Sequence, residues 1–206
     1  MRLYNEFKSL LVILVGCLVV LFLMLCFLNL ARSEELINDC VSVVLNDWIL
    51  HKTEDTPNSK FRKNSIIRKQ LVQDLINGST IYDKRPFMPF LAVFFAYKES
   101  SFNEFARGDI SNGKAKAHGI MQFHSTIRML CRRQLQLNLN ERYDQIVCFS
   151  YWINYLSKKC GGLEGAIRAY TSKGGSCMGT PKGRRLANHR IKQVKKLANQ
   201  CHIGVE

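Results

Sequence analysis

One carboxyl stands out for the company it keeps. Glu99 closes the apolar and aromatic run FLAVFFAYKE and is followed by Ser100, Ser101 and Phe102. A carboxyl at the end of a buried helix is taken partly out of water, which disfavours its charged form. A group held in that way can give up a proton, which is what general-acid cleavage of a glycosidic bond needs. The plainer reading is a helix-terminal glutamate on the surface. Glu104 and Asp109 follow closely, and either is a candidate for the second carboxyl that many glycosidases use to attack the sugar or activate water. Both fall in a segment with the composition of an exposed loop.

Other chemistries find less support. No Ser, His and Cys grouping suggests a nucleophilic triad. His118 and His124 flank Gly119-Ile120-Met121-Gln122 without metal-ligand spacing and read as polar loop residues. CxxC and CxxH pairs are absent, so no zinc site is expected. Neither a metal nor an organic cofactor is called for.

Positioning Glu99 falls to a set of helices. Glu34 to Leu50 places Leu36, Ile37, Val41, Val44, Leu45, Trp48 and Ile49 at near-helical spacing. The polar stretch His51 to Lys60, with Pro57, reads as a loop. Phe61 to Ile76 is a second amphipathic helix ended by Asn77-Gly78. Pro86 and Pro89 precede the apolar helix that carries Glu99. Arg107 to His118 is a glycine-containing, charged loop, with a short hairpin as the one β-element considered. Helical patterns resume at Ser125–Leu135, Glu141–Lys159 and Leu163–Tyr170, and a loop from Lys173 to Gly183 leads into a basic helix, Arg184 to Gln200. The expected fold class is therefore mainly all-α. On the last helix, Arg184, Arg185, Arg190, Lys192, Lys195 and Lys196 read as a solvated face, or as a face that attracts an anionic polymer or lipid headgroups.

The N-terminal part is different in kind. Leu10 to Leu28 (LLVILVGCLVVLFLMLCFL) carries no charge, and as a helix it extends roughly 28 Å, close to the hydrocarbon thickness of a bilayer. The division expected for the 206 residues is a short cytoplasmic segment at 1–9 and a transmembrane signal anchor at 10–31. A helical connector at 32–85 and a domain at 86–206 follow. Ala31-Arg32-Ser33 also offers a signal-peptidase-like site, and Leu14-Val15-Gly16-Cys17 resembles a lipoprotein box. Arg2, Lys8 and the amino terminus before the span, against Glu34, Glu35 and Asp39 after it, orient the N-terminus to the cytoplasm and the domain to the exported side. Six cysteines follow the span, Cys40, Cys131, Cys148, Cys160, Cys177 and Cys201. An even set in an exported domain favours disulfides, with Cys40 and Cys201 as a pair that would join its ends. The net charge of +14 favours a polyanionic partner. For an exported domain that is an envelope polymer rather than nucleic acid. No protein partner can be named.

The order and spacing of the motifs add a family. Glu99-Ser100-Ser101-Phe102 is followed by Ala106, then Gly119-Ile120-Met121-Gln122, then Ala166-Ile167-Arg168-Ala169-Tyr170. From Pro86 to Gln200 the chain resembles the catalytic domain of the lytic transglycosylases, relatives of goose-type lysozyme. Their pattern runs E-S-x-F-x-P-x-A, G-L-M-Q and A-Y-N. The resemblance implies a lysozyme-like domain acting on peptidoglycan glycan strands, with Glu99 as the single acid/base. It implies substrate-binding roles for Ser100, Phe102, Met121, Gln122 and Tyr170. Met121 and Gln122 would line the groove at the sugar beside the scissile bond, and Tyr170 would help position the intermediate. The implied product is 1,6-anhydroMurNAc, formed without water.

Several positions depart from the pattern. Glu104 stands at the usual proline and Gly108 at a frequent substrate-contacting serine. Thr171 replaces the asparagine of A-Y-N, Lys173 stands at a glycine, and a Gly/Lys-rich insertion precedes Gly119. Gly108, Thr171 and Lys173 support an alternative on the same fold, a non-catalytic, membrane-tethered protein that binds peptidoglycan or assists its assembly; Glu104 or Asp109 activating water would instead make a lysozyme-type hydrolase.

Overall fold

The computed structural model describes residues 2–54, 59–112, 114–172 and 175–205, with side chains from residue 18 on except 29–31, 33 and 34. The chain divides into two units, residues 1–40 and Val41–Glu206. Helix α1, Arg2–Lys52, begins in the first and ends in the second, so the apolar stretch and the helix expected from Glu34 are one continuous element. In the first unit Leu18, Phe22, Met24, Phe27 and Leu28 are all more than half exposed. Among the described residues no helix is long and apolar enough to cross a membrane. The side chains of residues 10–17, which open the expected span, lie outside the described residues.

The second unit is built around α4, Met88–Ser100. Phe90, Leu91, Ala92, Val93, Phe95 and Ala96 have no exposed surface. A helix apolar on every side must be surrounded, and α4 is: α3 (Ser65–Ser79), α6 (Arg142–Lys159) and α8 (Pro181–Ala198) pack on it, and α7 (Leu163–Thr171) bridges α6 and α8. Leu45 and Ile49 of α1 are buried in the same unit. There Trp48 meets Tyr97 edge-on, 5.4 Å between ring centroids. The second expected helix starts later than its apolar spacing implied. A single turn, α2 (Lys60–Lys63), is separated from α3 by Asn64, whose side chain accepts from the N–H groups of Ile66 and Ile67 and so caps the new helix.

The mainly all-α class is as expected, and the short hairpin considered at Arg107–His118 is present. It consists of antiparallel strands β1 (Arg107–Ser111) and β2 (Lys114–His118), with β3 (Phe123–His124) added to β2. Asn112, at φ +51°, turns the hairpin. Its residues are mostly polar or small and exposed, so the apolar alternation that reveals a strand in sequence is missing.

Helix α5 (Ser125–Leu135) leads from β3. Cys131–Cys148 ties α5 to α6, and Cys160–Cys177 ties the end of α6 to the segment before α8. Cys40 and Cys201 are each disulfide-bonded as well.

Candidate active site

Glu99 lies in the last turn of α4, and the way that helix ends sets its position. Ser101 and Phe102 are both left-handed, at φ +52° and +67°. The N–H of Ser101 donates to the Tyr97 carbonyl and that of Phe102 to the Ala96 carbonyl. Two successive non-glycine residues in this region carry backbone strain. Packing holds them there, because Phe102 turns back into the core with no exposed surface, against Trp48, Phe61 and Tyr97. The Ser100 hydroxyl donates to the Ile120 carbonyl at 2.9 Å, fastening the helix end to the Gly119–Gln122 turn.

The Glu99 side chain remains 24% exposed, and its Oε1 lies 2.8 Å from Nη1 of Arg190 on α8. Arg190 is 7% exposed and its guanidinium carbon sits 4.5 Å from the centroid of the Phe95 ring. The pair is close without being aligned as a hydrogen bond: Nη1 and Nε of Arg190 are sealed from solvent with no acceptor in line. Tyr170 completes the group. Its hydroxyl donates to the Met121 carbonyl at 2.6 Å, and its ring packs edge-on against Phe95 at 4.7 Å and Phe149 at 5.7 Å. Burial, followed by the negative charge of Glu99, pushes the Tyr170 phenol well above its ordinary value, and the positive charge of Arg190 offsets part of the effect. Tyr170 is therefore a neutral donor through the physiological range.

The Gly119–Gln122 turn is held from two sides. Gly119, at φ +83°, leaves room for the buried Gln145, whose Oε1 accepts from the Ile120 N–H at 2.6 Å. Gln122 uses its amide on the carbonyls of Gly119 and Ala106, at 2.8 and 3.2 Å. Met121 has no exposed surface. As they stand, Met121 and Phe102 support the site from beneath, and Glu99, Gln122 and Tyr170 keep partial exposure.

The other candidate carboxyls are engaged elsewhere. Glu104 pairs with Lys60 at 2.6 Å and lies 3.9 Å from Arg142, and Asp109 pairs with His124 at 3.0 Å. Among the described residues no group of three or more His, Cys, Asp or Glu side chains is placed to hold a metal. One cavity, of about 520 Å³, does not include Glu99 in its lining. It is lined by His118, Ser125, Arg128, Met129, Arg132 and Arg133. Burial, and after it the neighbouring charge of Arg132, lower the Arg128 guanidinium from its ordinary value.

The transglycosylase SLT domain family model matches residues 80–192, over half of the chain. The chain belongs to that family. Comparison with curated proteins and with solved structures found no match. The matched span of the SLT domain takes in α4, the three strands, α5 to α7 and most of α8, and with them every residue of the Glu99 cluster.

Two departures of this SLT domain now have physical accounts. A Cβ on Gly108 would lie 2.1 Å from Gln122 Oε1, so a side chain there and the present Gln122 amide exclude each other. The Thr171 hydroxyl is turned back onto its own helix, donating to the carbonyls of Ile167 and Arg168. Lys173 lies outside the described residues. Arg190 was hidden among the basic residues of the last helix, whose other five, Arg184, Arg185, Lys192, Lys195 and Lys196, are exposed as expected. A signal was present: Gly183, Ala187, Arg190, Val194 and Leu197 form the buried stripe of α8, so Arg190 interrupts a row of small and apolar residues at helical spacing.

Proposed function

We propose that this SLT domain is a peptidoglycan lytic transglycosylase that cleaves the MurNAc–GlcNAc β-1,4 bond with Glu99 as its single general acid/base. The observation that carries the reading is the placement of Glu99. It is a half-buried carboxyl at the end of the core helix, grouped with Tyr170 and Arg190, while Glu104 is paired with Lys60 and Asp109 with His124.

In the first step Glu99 protonates the glycosidic oxygen and the C1–O bond breaks, its electron pair leaving on that oxygen. The N-acetyl oxygen of the substrate supports the positive anomeric carbon, so no enzyme nucleophile is required. Glu99, now ionised, takes the proton of the C6 hydroxyl as O6 bonds to C1, closing the 1,6-anhydro ring. Tyr170 fixes the Gly119–Gln122 turn beside the reacting carbons. The basic cavity on α5 supplies a field that attracts an anionic polymer.

The domain would be anchored to the membrane through α1 with the catalytic unit on the exported side. Supporting this are the uncharged stretch Leu10–Leu28 and the apolar side chains exposed all round the helix from Leu18 to Leu28, which need an apolar setting.

Digesting purified peptidoglycan with the detergent-solubilised full chain, beside Glu99→Gln, tests the reading. Soluble muropeptides ending in 1,6-anhydroMurNAc, absent with the variant, are expected. Products heavier by one water would make the enzyme a hydrolase. A second reading, a tethered wall-binding protein, is favoured by the engagement of Glu99 with Arg190 and of the Thr171 hydroxyl with its own helix. Sedimentation with peptidoglycan that survives Glu99→Gln, with nothing released by the wild type, would establish it.

A further inference from the structure

The C-terminal helix brings a second charged side chain to the reacting carboxyl. Arg190 is nine-tenths buried, in the middle of the small and apolar stripe of α8. A guanidinium taken out of water is costly unless a carboxylate compensates it, and the carboxylate at Arg190 is Glu99, at 2.8 Å. On its other side the Phe95 ring fixes the guanidinium, at 4.5 Å from the centroid. Two of its nitrogens, Nε and Nη1, are sealed from solvent and have no acceptor in line. The opposite effects of Glu99 and Arg190 on the Tyr170 phenol place all three in one electrostatic group.

We propose that Arg190 is the positioning residue of this site, the buried counter-charge that receives Glu99 as it becomes a carboxylate. The inference rests on the reading of Glu99 as the acid/base. When Glu99 carries its proton, ready to donate, Arg190 is a buried cation without a counter-charge. As the proton passes to the glycosidic oxygen and the C1–O bond breaks, negative charge grows on the Glu99 carboxyl and the pair is completed. The attraction is therefore stronger in the transition state than before it, the condition for raising kcat rather than tightening binding. The same contact fixes Oε1 between α4 and α8. Among the described residues, α7 brings Tyr170 to this group, while Lys98, next to Glu99 on α4, lies over the Phe94 and Tyr97 rings.

The test uses the full chain in detergent, with Arg190→Lys, Arg190→Met, Glu99→Gln and the double variant Glu99→Gln/Arg190→Met. Two readouts are taken: muropeptide release, for kcat and KM, and the thermal unfolding midpoint without substrate. Arg190→Met is expected to lower kcat at least tenfold, toward about a hundredfold, with KM within about twofold of wild type. Arg190→Lys keeps the charge and is expected to recover part of the loss. Glu99→Gln strands the buried cation and lowers the midpoint, and adding Arg190→Met to it raises the midpoint again. A folded Arg190→Met with wild-type kcat, a loss confined to KM, or midpoint shifts that simply add would each overturn the role of Arg190. If Arg190→Met does not fold, Arg190→Lys decides: reduced kcat at unchanged KM supports the role, and wild-type kcat overturns it. A wild type that releases nothing while the midpoint shifts remain non-additive overturns the acid/base reading, and this role with it, on separate data.

Discussion

The hydroxyl of Tyr170 donates to the backbone carbonyl of Met121 at 2.6 Å, joining two segments 49 residues apart. One bond thus ties α7 to the Gly119–Gln122 turn, directly beside the carboxyl at the end of α4. Tyr170→Phe keeps the ring and its packing on Phe95 but leaves the carbonyl without its donor. The expected loss of stability is about 1 kcal/mol, up to about 2, read by urea denaturation. Muropeptide release should fall roughly tenfold or more as the turn loses its register. Unchanged release with the expected loss of stability would confine Tyr170 to a structural role.

Tyr170 also makes a pH prediction with a definite sign. Its phenol is raised in the folded state, by burial first and by the Glu99 charge second, so the native protein holds this proton more tightly than the unfolded chain. The contribution to stability is fully present below the unfolded value of about 10 and is lost as pH rises from there toward the folded one. Urea midpoints at increasing pH above about 9 should fall more steeply for the wild type than for Tyr170→Phe. Parallel curves would show that the hydroxyl is not held as described.

Two glycines flanking the turn should respond differently to alanine. At Gly119 the backbone is at φ +83°, and a Cβ would lie 2.1 Å from Oε1 and 2.7 Å from Cδ of Gln145. Gln145 is buried and bonded to Ile120, Glu104 and Leu139. Gly119→Ala is expected to cost about 3 kcal/mol or more, from backbone strain plus broken buried hydrogen bonds. At Gly108 the clash falls on the end of the less confined Gln122 side chain, so Gly108→Ala should cost about 1 kcal/mol and displace the amide. Denaturation midpoints of the two variants give the ranking, and the reverse order would contradict this account.

Cys131–Cys148 and Cys160–Cys177 each span a sequence separation of 17. Loops of that size contribute roughly 3 kcal/mol when closed, chiefly by restricting the unfolded chain. Replacing either pair by serine should lower stability by about that amount. A reductant should lower the unfolding temperature of the wild type, and lower it less in a variant lacking both, where the bonds of Cys40 and Cys201 remain to be reduced. Insensitivity to reductant would show that these cysteines are not paired in the isolated protein.

Much of the helical architecture was legible in the sequence. Apolar residues at helical spacing marked α3, α6 and α7, and the unbroken apolar run of α4 announced a helix surrounded by others. The order of Glu99, the Gly119–Gln122 turn and Tyr170 pointed to the SLT family before any coordinates. These features are local: periodicity, helix ends and motif spacing are properties of neighbouring residues.

Other features were decided only by packing. The hairpin at Arg107–His118 carries mostly polar and small residues, so nothing in its hydropathy separated strand from loop. Which cysteines pair depends on where α5, α6 and the segment before α8 come to rest. Arg190 is the clearest case. Composition places it in a basic run with the solvated residues around it, although its position on the stripe of Gly183, Ala187, Val194 and Leu197 gave a hint. Its contact with Glu99 is made only when α8 packs on α4, across 91 residues of chain. Sequence determined which groups could do chemistry, because side-chain type is written residue by residue. The tertiary structure decided which charge stands beside Glu99, because an ion pair forms where the chain brings two side chains together and their burial lets each compensate the other.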